Sequence, residues 1–411
     1  MRRRRAACSV VAVANAHRSR SPWRLGAVLL TCLVALAASA CGPSLRGTVS
    51  AERLQGVLER DLVRLDDDEL PASLLERLAR YRVVVVGEYH GLAEHDVFVG
   101  KLVTALHDHG VRTLLLEFPQ AYDWLLDGYV RGRLETPGES ALRTYGPMLE
   151  RVRERNATLP AEEHLRVFAI DVNHREDDFL PPFRGIAHQL GQPPLLMDAA
   201  AAIEAGEAPD AVLATLEASL VAEADALERD WGEAAFVVVL DMVEAERRSL
   251  EVRAEPAGRR RDEAREAVMK ALVDRQLARM RGAALVNVGR YHAQKTSRDG
   301  TVEVWLGEYL TSSSPHAQGE TFVLVVVPAS GERHVGDAVQ TFDVAVDSPP
   351  NELFRLMHAI AGDASAFLAL DDELFANERV VVNYLPRIDT EPPAKVFDAF
   401  VLLPEVHPAE D

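Results

Sequence analysis

Arg82-Val83-Val84-Val85-Val86-Gly87-Glu88-Tyr89-His90-Gly91 is the stretch on which the fold of this chain turns. Four consecutive valines present no alternation of apolar and polar faces, so they read as a strand covered on both sides, as in a parallel sheet. Working outward, similar runs recur at Val111 to Leu116, Leu165 to Ile170, Ala284 to Val288 and Thr321 to Val327. Glu94 to His107, between the first two, has helical periodicity and is followed by Gly110, a residue suited to closing a helix. Strand, helix, strand, helix implies βαβ units, hence an α/β chain with a mostly parallel central sheet and helices on both faces.

On the N-terminal side the pattern predicts helices at Ala51 to Leu65 and Pro71 to Arg80, with Pro71 in a first turn. The connection from the third strand to the fourth, Arg175 to Gly282, is far longer than a simple crossover. It is rich in Ala, Leu, Glu and Arg, with helical periodicity in Ala211 to Leu227, Ala234 to Val252 and Arg261 to Arg281. Because structureless loops of that length are rare, it reads as a helical insertion within one α/β domain, residues 51–411. Beyond it come a helix at Glu352 to Ala361 and strand candidates at Arg379 to Tyr384 and Asp398 to Leu403.

In open α/β sheets, sites form outside the carboxyl ends of the strands. Here those ends read Gly87-Glu88-Tyr89-His90-Gly91, Glu117-Phe118-Pro119, Asp171-Val172-Asn173-His174 and Gly289-Arg290-Tyr291-His292. Four successive strands therefore deliver titratable groups to one rim. Glu88 and His90 lead the candidates, since flanking glycines let the backbone turn sharply; His292, Glu117, Asp171 and His174 follow. A histidine held by carboxylates can take a proton from water while a second histidine or an arginine steadies the developing oxyanion. Glu88, His90, Glu117, Asp171 and His292 are equally the donor types that hold a divalent zinc, manganese or iron, which would activate the water instead. No Gly-x-Ser-x-Gly elbow, P-loop or Gly-x-Gly-x-x-Gly follows any strand, which argues against a serine nucleophile or a nucleotide cradle. Glu94, His95 and Asp96 read as the opening of a helix, with Glu94 kept in view by its nearness to Glu88; His107 and His109 read as helix-end residues and Arg259 to Arg261 as a solvated helix start.

The N-terminus opens on Arg2 to Arg5, adds Arg18, Arg20 and Arg24, then runs apolar and uncharged from Leu25 to Ala40 and into Cys41. That is the order of a signal peptide over residues 1–40, too short in its apolar part to span a membrane, and the small residues before Cys41 resemble a bacterial lipobox. Cys41 is then the lipidated residue, residues 41–50 are a tether, and the chain is expected on a membrane of the cell envelope. The other cysteines, Cys8 and Cys32, lie in the leader, so no disulfide or thiol nucleophile is expected afterwards. The whole chain has 45 basic and 64 acidic side chains; without residues 1–40, which hold seven Arg and no acid, the balance is −26. Such a surface repels nucleic acid and anionic headgroups, so attachment to the membrane must come from the acyl chains on Cys41.

Val84 to Glu117, with Gly-Glu-x-His-Gly, a helix and then Leu-Leu-Leu-Glu, resembles the opening of the erythromycin esterase-like family and of the related ChaN haem-uptake and Tiki/TraB proteins. Ala169-Ile170-Asp171, Arg265-Glu266-x-x-Met269, Val286 to His292, Trp305 to Leu310 and Phe397-Asp398-Ala399-Phe400 extend the resemblance over most of the chain. It implies an esterase in which His90 is the base, Glu88 and Glu117 support it, Arg265 anchors substrate or oxyanion, and His292 is a second polar group. The esterases have two residues between the Glu and the His, whereas only Tyr89 separates Glu88 from His90, a spacing nearer to ChaN and Tiki. The ChaN likeness implies haem, with Tyr89, Tyr291 or a histidine as axial ligand; the Tiki likeness implies a metal-dependent peptidase.

Overall fold

The computed structural model describes residues 49–65, 69–296, 302–335, 338–346, 351–380 and 392–409. The leader, Cys41 and most of the tether lie outside the described residues, as does most of the strand expected at Arg379 to Tyr384. In chain order come helix α1 (Ala51–Asp61), strand β1 (Val63–Leu65), helix α2 (Ala72–Leu78), strand β2 (Val83–Glu88), helix α3 (Ala93–His107) and strand β3 (Val111–Pro119). Helices α4 (Asp123–Val130) and α5 (Glu139–Ala157) lead to β4 (Arg166–Asp171). Next are α6 (Glu176–Gln189), α7 (Pro194–Glu204), α8 (Pro209–Ala222), α9 (Ala224–Trp231), α10 (Glu233–Ala254) and α11 (Arg259–Arg279), then β5 (Ala283–Gly289). The remainder is α12 (Leu306–Ser312), β6 (Thr321–Pro328), β7 (Ser330–Val335), β8 (Ala338–Asp343), α13 (Glu352–Ala361), β9 (Ser365–Ala369), α14 (Glu373–Asn377) and β10 (Ala399–Leu403).

Eight strands form one sheet in the order β1-β9-β10-β6-β2-β5-β3-β4. From β10 to β4 every neighbouring pair is parallel, while β9 runs antiparallel to both β10 and β1. The valine run lies at the centre: Val83 faces Ala284 on one side and Thr321 on the other. Val83 to Val86 are each 0–1% exposed, as a strand covered on both faces requires. Burial of that kind is worth about 1.5–3 kcal/mol per side chain, so β2 anchors the sheet.

Two expectations change. The helix expected to run to Leu65 stops at Asp61, because Leu62 is extended (φ −72°, ψ 124°) and Val63 to Leu65 pair with the edge of β9. The helix expected from Ala211 to Leu227 is two helices, interrupted at Glu223 (φ −107°, ψ 12°). The β7–β8 hairpin and the antiparallel strand β9 were not anticipated from the sequence.

Helices α6 to α10 enclose a hydrophobic cluster of their own, in which Phe179, Phe183, Leu196, Leu213, Leu216 and Val239 are buried. Helix α11 belongs instead to the main core, through Met269, Leu272, Val273 and Leu277. Packing of that face holds the helix beside β4, and its earlier residues Arg265 and Glu266 meet the strand ends.

Candidate active site

Strands β2, β5, β3 and β4 are parallel neighbours, so their carboxyl ends share one edge. The spatial order differs from the chain order because β5 enters between β2 and β3. That insertion lays Glu117 at the end of β3 against the backbone of β5, where Gly289 N donates to Glu117 Oε2 at 2.5 Å.

Glu88, 3% exposed, is the fixed point of the site. His90 Nδ1 lies 2.7 Å from its Oε1, and His95 Nε2 lies 3.0 Å from its Oε2. Asn287 Nδ2 donates to Oε2 at 3.0 Å and Tyr145 Oη to Oε1 at 3.4 Å. Burial alone would raise its pKa, but His90 and His95 hold the carboxyl well below the usual range. Burial has the upper hand at neighbouring Asp96, which is raised well above it by desolvation and by Glu88.

His90 is half-exposed. With Nδ1 turned to Glu88, its Nε2 stands 3.9 Å from Glu117 Oε1, beyond hydrogen-bond reach. Desolvation lowers its pKa, yet the Glu88 and Glu117 carboxylates outweigh that and push it up to about 9. His292 is the contrasting case, 7% exposed and clamped from both sides. Its Nδ1 bonds Glu266, its Nε2 lies 3.3 Å from Glu117 Oε1, and Trp305 meets its ring edge-on at 5.4 Å. Against burial, Glu117 and then Glu266 raise it to about 10, so it is an imidazolium through the neutral range.

Arg265 joins the other half of the rim. Its Nε donates to Asp171 Oδ1 at 2.8 Å and its Nη2 to Asp171 Oδ2 at 2.5 Å, while Nη2 also donates to Glu117. His174 Nε2 lies 2.9 Å from Asp171 Oδ2. Both acids would be raised by burial; His292 and Arg265 hold Glu117 down, and Arg265 holds Asp171 down. The guanidinium is raised in turn: burial opposes its charge, but Glu117 and Asp171 favour it.

Glu88, His90, Glu117, Asp171, His292 and Arg265 thus come together as expected from the sequence. Of the tyrosines beside the rim, Tyr89 is 8% exposed, with Arg290 over its ring at 3.8 Å, and Tyr291 packs toward Trp305 at 6.2 Å. Glu94 turns outward to His407 at 2.7 Å, and it is His95, expected to be an ordinary helix-opening residue, that reaches Glu88. His107 is buried with Nε2 2.8 Å from the Glu163 carbonyl, a structural contact. Glu266, Asn287, Tyr145 and His95 were missed. Asn287 carried a signal, being the one polar side chain inside the apolar run of β5.

Among the described residues no three His, Cys, Asp or Glu side chains are arranged to hold a metal ion. The donor chemistry agrees: the Arg265 guanidinium occupies the Glu117–Asp171 pair, and both histidines turn Nδ1 to carboxylates. A divalent ion there would have to displace a cation already bound in its place.

Gly289 permits the close approach of β5. A Cβ built there would stand 2.8 Å from His90 Nε2 and 3.2 Å from Glu117 Oε2. Gly289→Ala is therefore expected to push His90 off its position while the chain stays folded, seen as a shift of the His90 ring resonances with circular dichroism unchanged; unshifted resonances would show that the ring does not need that space.

No family model matches the chain, and no curated protein matches it in sequence. Solved structures do. A succinoglycan biosynthesis protein aligns at a TM-score of 0.65 and 12% identity, over 89% of this chain and 99% of its own. A protein from Bacillus cereus aligns at 0.60 and 17%, over 88% and 99%. A mutant of erythromycin esterase EreC in its open conformation aligns at 0.59 and 16%, over 85% and 98%. At such identities the likeness speaks for the fold: from one end of the described domain to the other, this chain is built on the α/β architecture that erythromycin esterase EreC also has.

Proposed function

We propose that the chain is a hydrolase of esterase type in which His90 activates water. The observation that carries this reading is the asymmetry of the two histidines. His292 has carboxylates at both nitrogens, whereas His90 is oriented by Glu88 at Nδ1 and presents Nε2 to the open rim. A buried acid that fixes one nitrogen and leaves the other free is what a general base needs. Water held between His90 Nε2 and Glu117, across the 3.9 Å gap, loses its proton to His90 as it attacks the ester carbonyl. Among the described residues Arg265 Nη1 has His292 Nε2 beside it, at 3.3 Å, and His292 is itself protonated. Nη1 is thus the donor left for the developing oxyanion, in a setting where preorganised charge is most effective. His90 then returns the proton to the leaving alkoxide.

The EreC likeness supports the ester class at the level of fold, and the sequence resemblance supports it at the level of residues. We propose also that the chain is held to a cell-envelope membrane by lipid on Cys41; among the described residues no helix is long and apolar enough to cross a membrane. A Cys41→Ala chain would then leave the membrane fraction. The test of function is a panel of uncharged carboxylic esters and lactones beside a haemin titration. Turnover of one ester class without a Soret shift is the expected result. A stoichiometric Soret band that is lost in His90→Ala, with no ester turned over, would replace this reading with haem capture through His90.

A further inference from the structure

A second cavity, of about 1410 Å³, runs along the outer edge of the sheet between β3–β4 and helices α4, α10 and α11. None of the rim residues lines it. Its volume exceeds the roughly 300–1,000 Å³ usual for small-molecule sites, so its natural occupant is longer than a compact metabolite. Phe168, Ile186, Val238 and Met242 supply apolar wall, and Val237, at its side, leaves 42% of its surface exposed.

One end is cationic. Arg279 closes α11, Arg281 follows it, and Arg112 opens β3. They are drawn together by a close backbone approach: Ala283 N donates to Gly110 O at 3.0 Å, and a Cβ on Gly282 would meet Gly110 O at 2.4 Å and Arg112 Cγ at 3.1 Å. Gly282 has φ +83° besides, so the position suits glycine twice over. Arg112 Nη1 donates to the carbonyls of His107 and Val111, and among the described residues none of the three guanidinium groups has an acid partner. That contrasts with Arg131, Arg133 and Arg166 in the same wall, all tied to Asp127. Gln276, one turn before Arg279 on the same face of α11, is 8% exposed, and Gln120 at the far side is 4% exposed. Three guanidinium groups gathered at one end of a cavity with an apolar wall, in a chain of net charge −19, make that end a local place for an anion.

We propose that this cavity binds a long-chain carboxylate, with its head between Arg112, Arg279 and Gln276 and its acyl body along Phe168, Val238 and Met242. The site is separate from the rim and stands whether or not His90 is a base. The test is fluorescence titration of the full chain with cis-parinaric acid. Saturable binding of one molecule per chain is expected, weakened at least tenfold by Arg279→Gln/Arg281→Gln and at least tenfold for the uncharged methyl ester, since charge-assisted bonds to a carboxylate are being removed. Both arginines are exposed, so the variant is expected to fold, which circular dichroism checks; His90→Ala is expected to bind as the parent does. No saturable binding, equal binding of acid and ester, or indifference to the two arginines overturns the proposal.

Discussion

An Arg265→Leu chain is expected to lose about 3–5 kcal/mol of folding stability, the cost of stripping a buried ionic cluster of one sign. Arg265 is bonded to both Glu117 and Asp171, whose side chains are 5% and 2% exposed. Without it, Asp171 retains His174, and Glu117 retains His292 and the Gly289 amide. The expected fall in Tm is on the order of 10 °C near neutral pH. The sign of the pH dependence follows from the same contacts. Both acids have depressed pKa values in the fold, so their contribution is present above the unfolded carboxylate range near pH 4 and is lost as pH falls through the lower folded values. In Arg265→Leu that contribution is largely gone at neutral pH, so the gap between variant and parent should narrow on acidification. Denaturant unfolding at pH 7 and at about pH 3, below the unfolded carboxylate range, measures both; a variant within about 0.5 kcal/mol of the parent at pH 7 would show that the cluster does not depend on this arginine.

His90→Ala should show the opposite balance, with its main effect on rate and a lesser one on stability. General-base catalysis contributes about 10²- to 10⁴-fold, and kcat/KM for the preferred ester is expected to drop by that amount. The fold should lose less than in Arg265→Leu, because the His90 ring is half-exposed and Glu88 keeps His95, Asn287 and Tyr145 when His90 is gone. Thermal unfolding alongside the kinetics separates this outcome from simple loss of structure. A rate within threefold of the parent would remove His90 from the mechanism.

The valine run made the sheet legible because four buried β-branched residues in a row have few other homes, and the rim was legible because each strand ended on a titratable group. What stayed hidden depended on long-range placement. Val63 to Leu65 continues the apolar pattern of α1, and only the edge of β9 makes it a strand. Glu94 and His95 are adjacent on α3, and the sequence favoured Glu94; the rotation of the helix against β2 and β5 sends His95 inward to Glu88 and Asn287 and Glu94 outward to His407. Glu266 had no visible task beside Arg265 until His292 was seen to need an acid at Nδ1. Tyr145 reaches Glu88 from α5, 57 residues away, with nothing local to mark it.

The pH dependence of kcat/KM bears most directly on the claim that His90 is the base. Its Glu88 and Glu117 neighbours push His90 up to about 9, so at pH 7 most of it is protonated and idle. The rate on an uncharged ester should therefore climb through neutral pH and level off above about 9. Glu88→Gln, which removes the nearer carboxylate, should bring that inflection down by at least one pH unit. A profile that is flat from pH 6 to 10, or one that falls through 9, would contradict the assignment, the latter by showing that the protonated histidine is the working form.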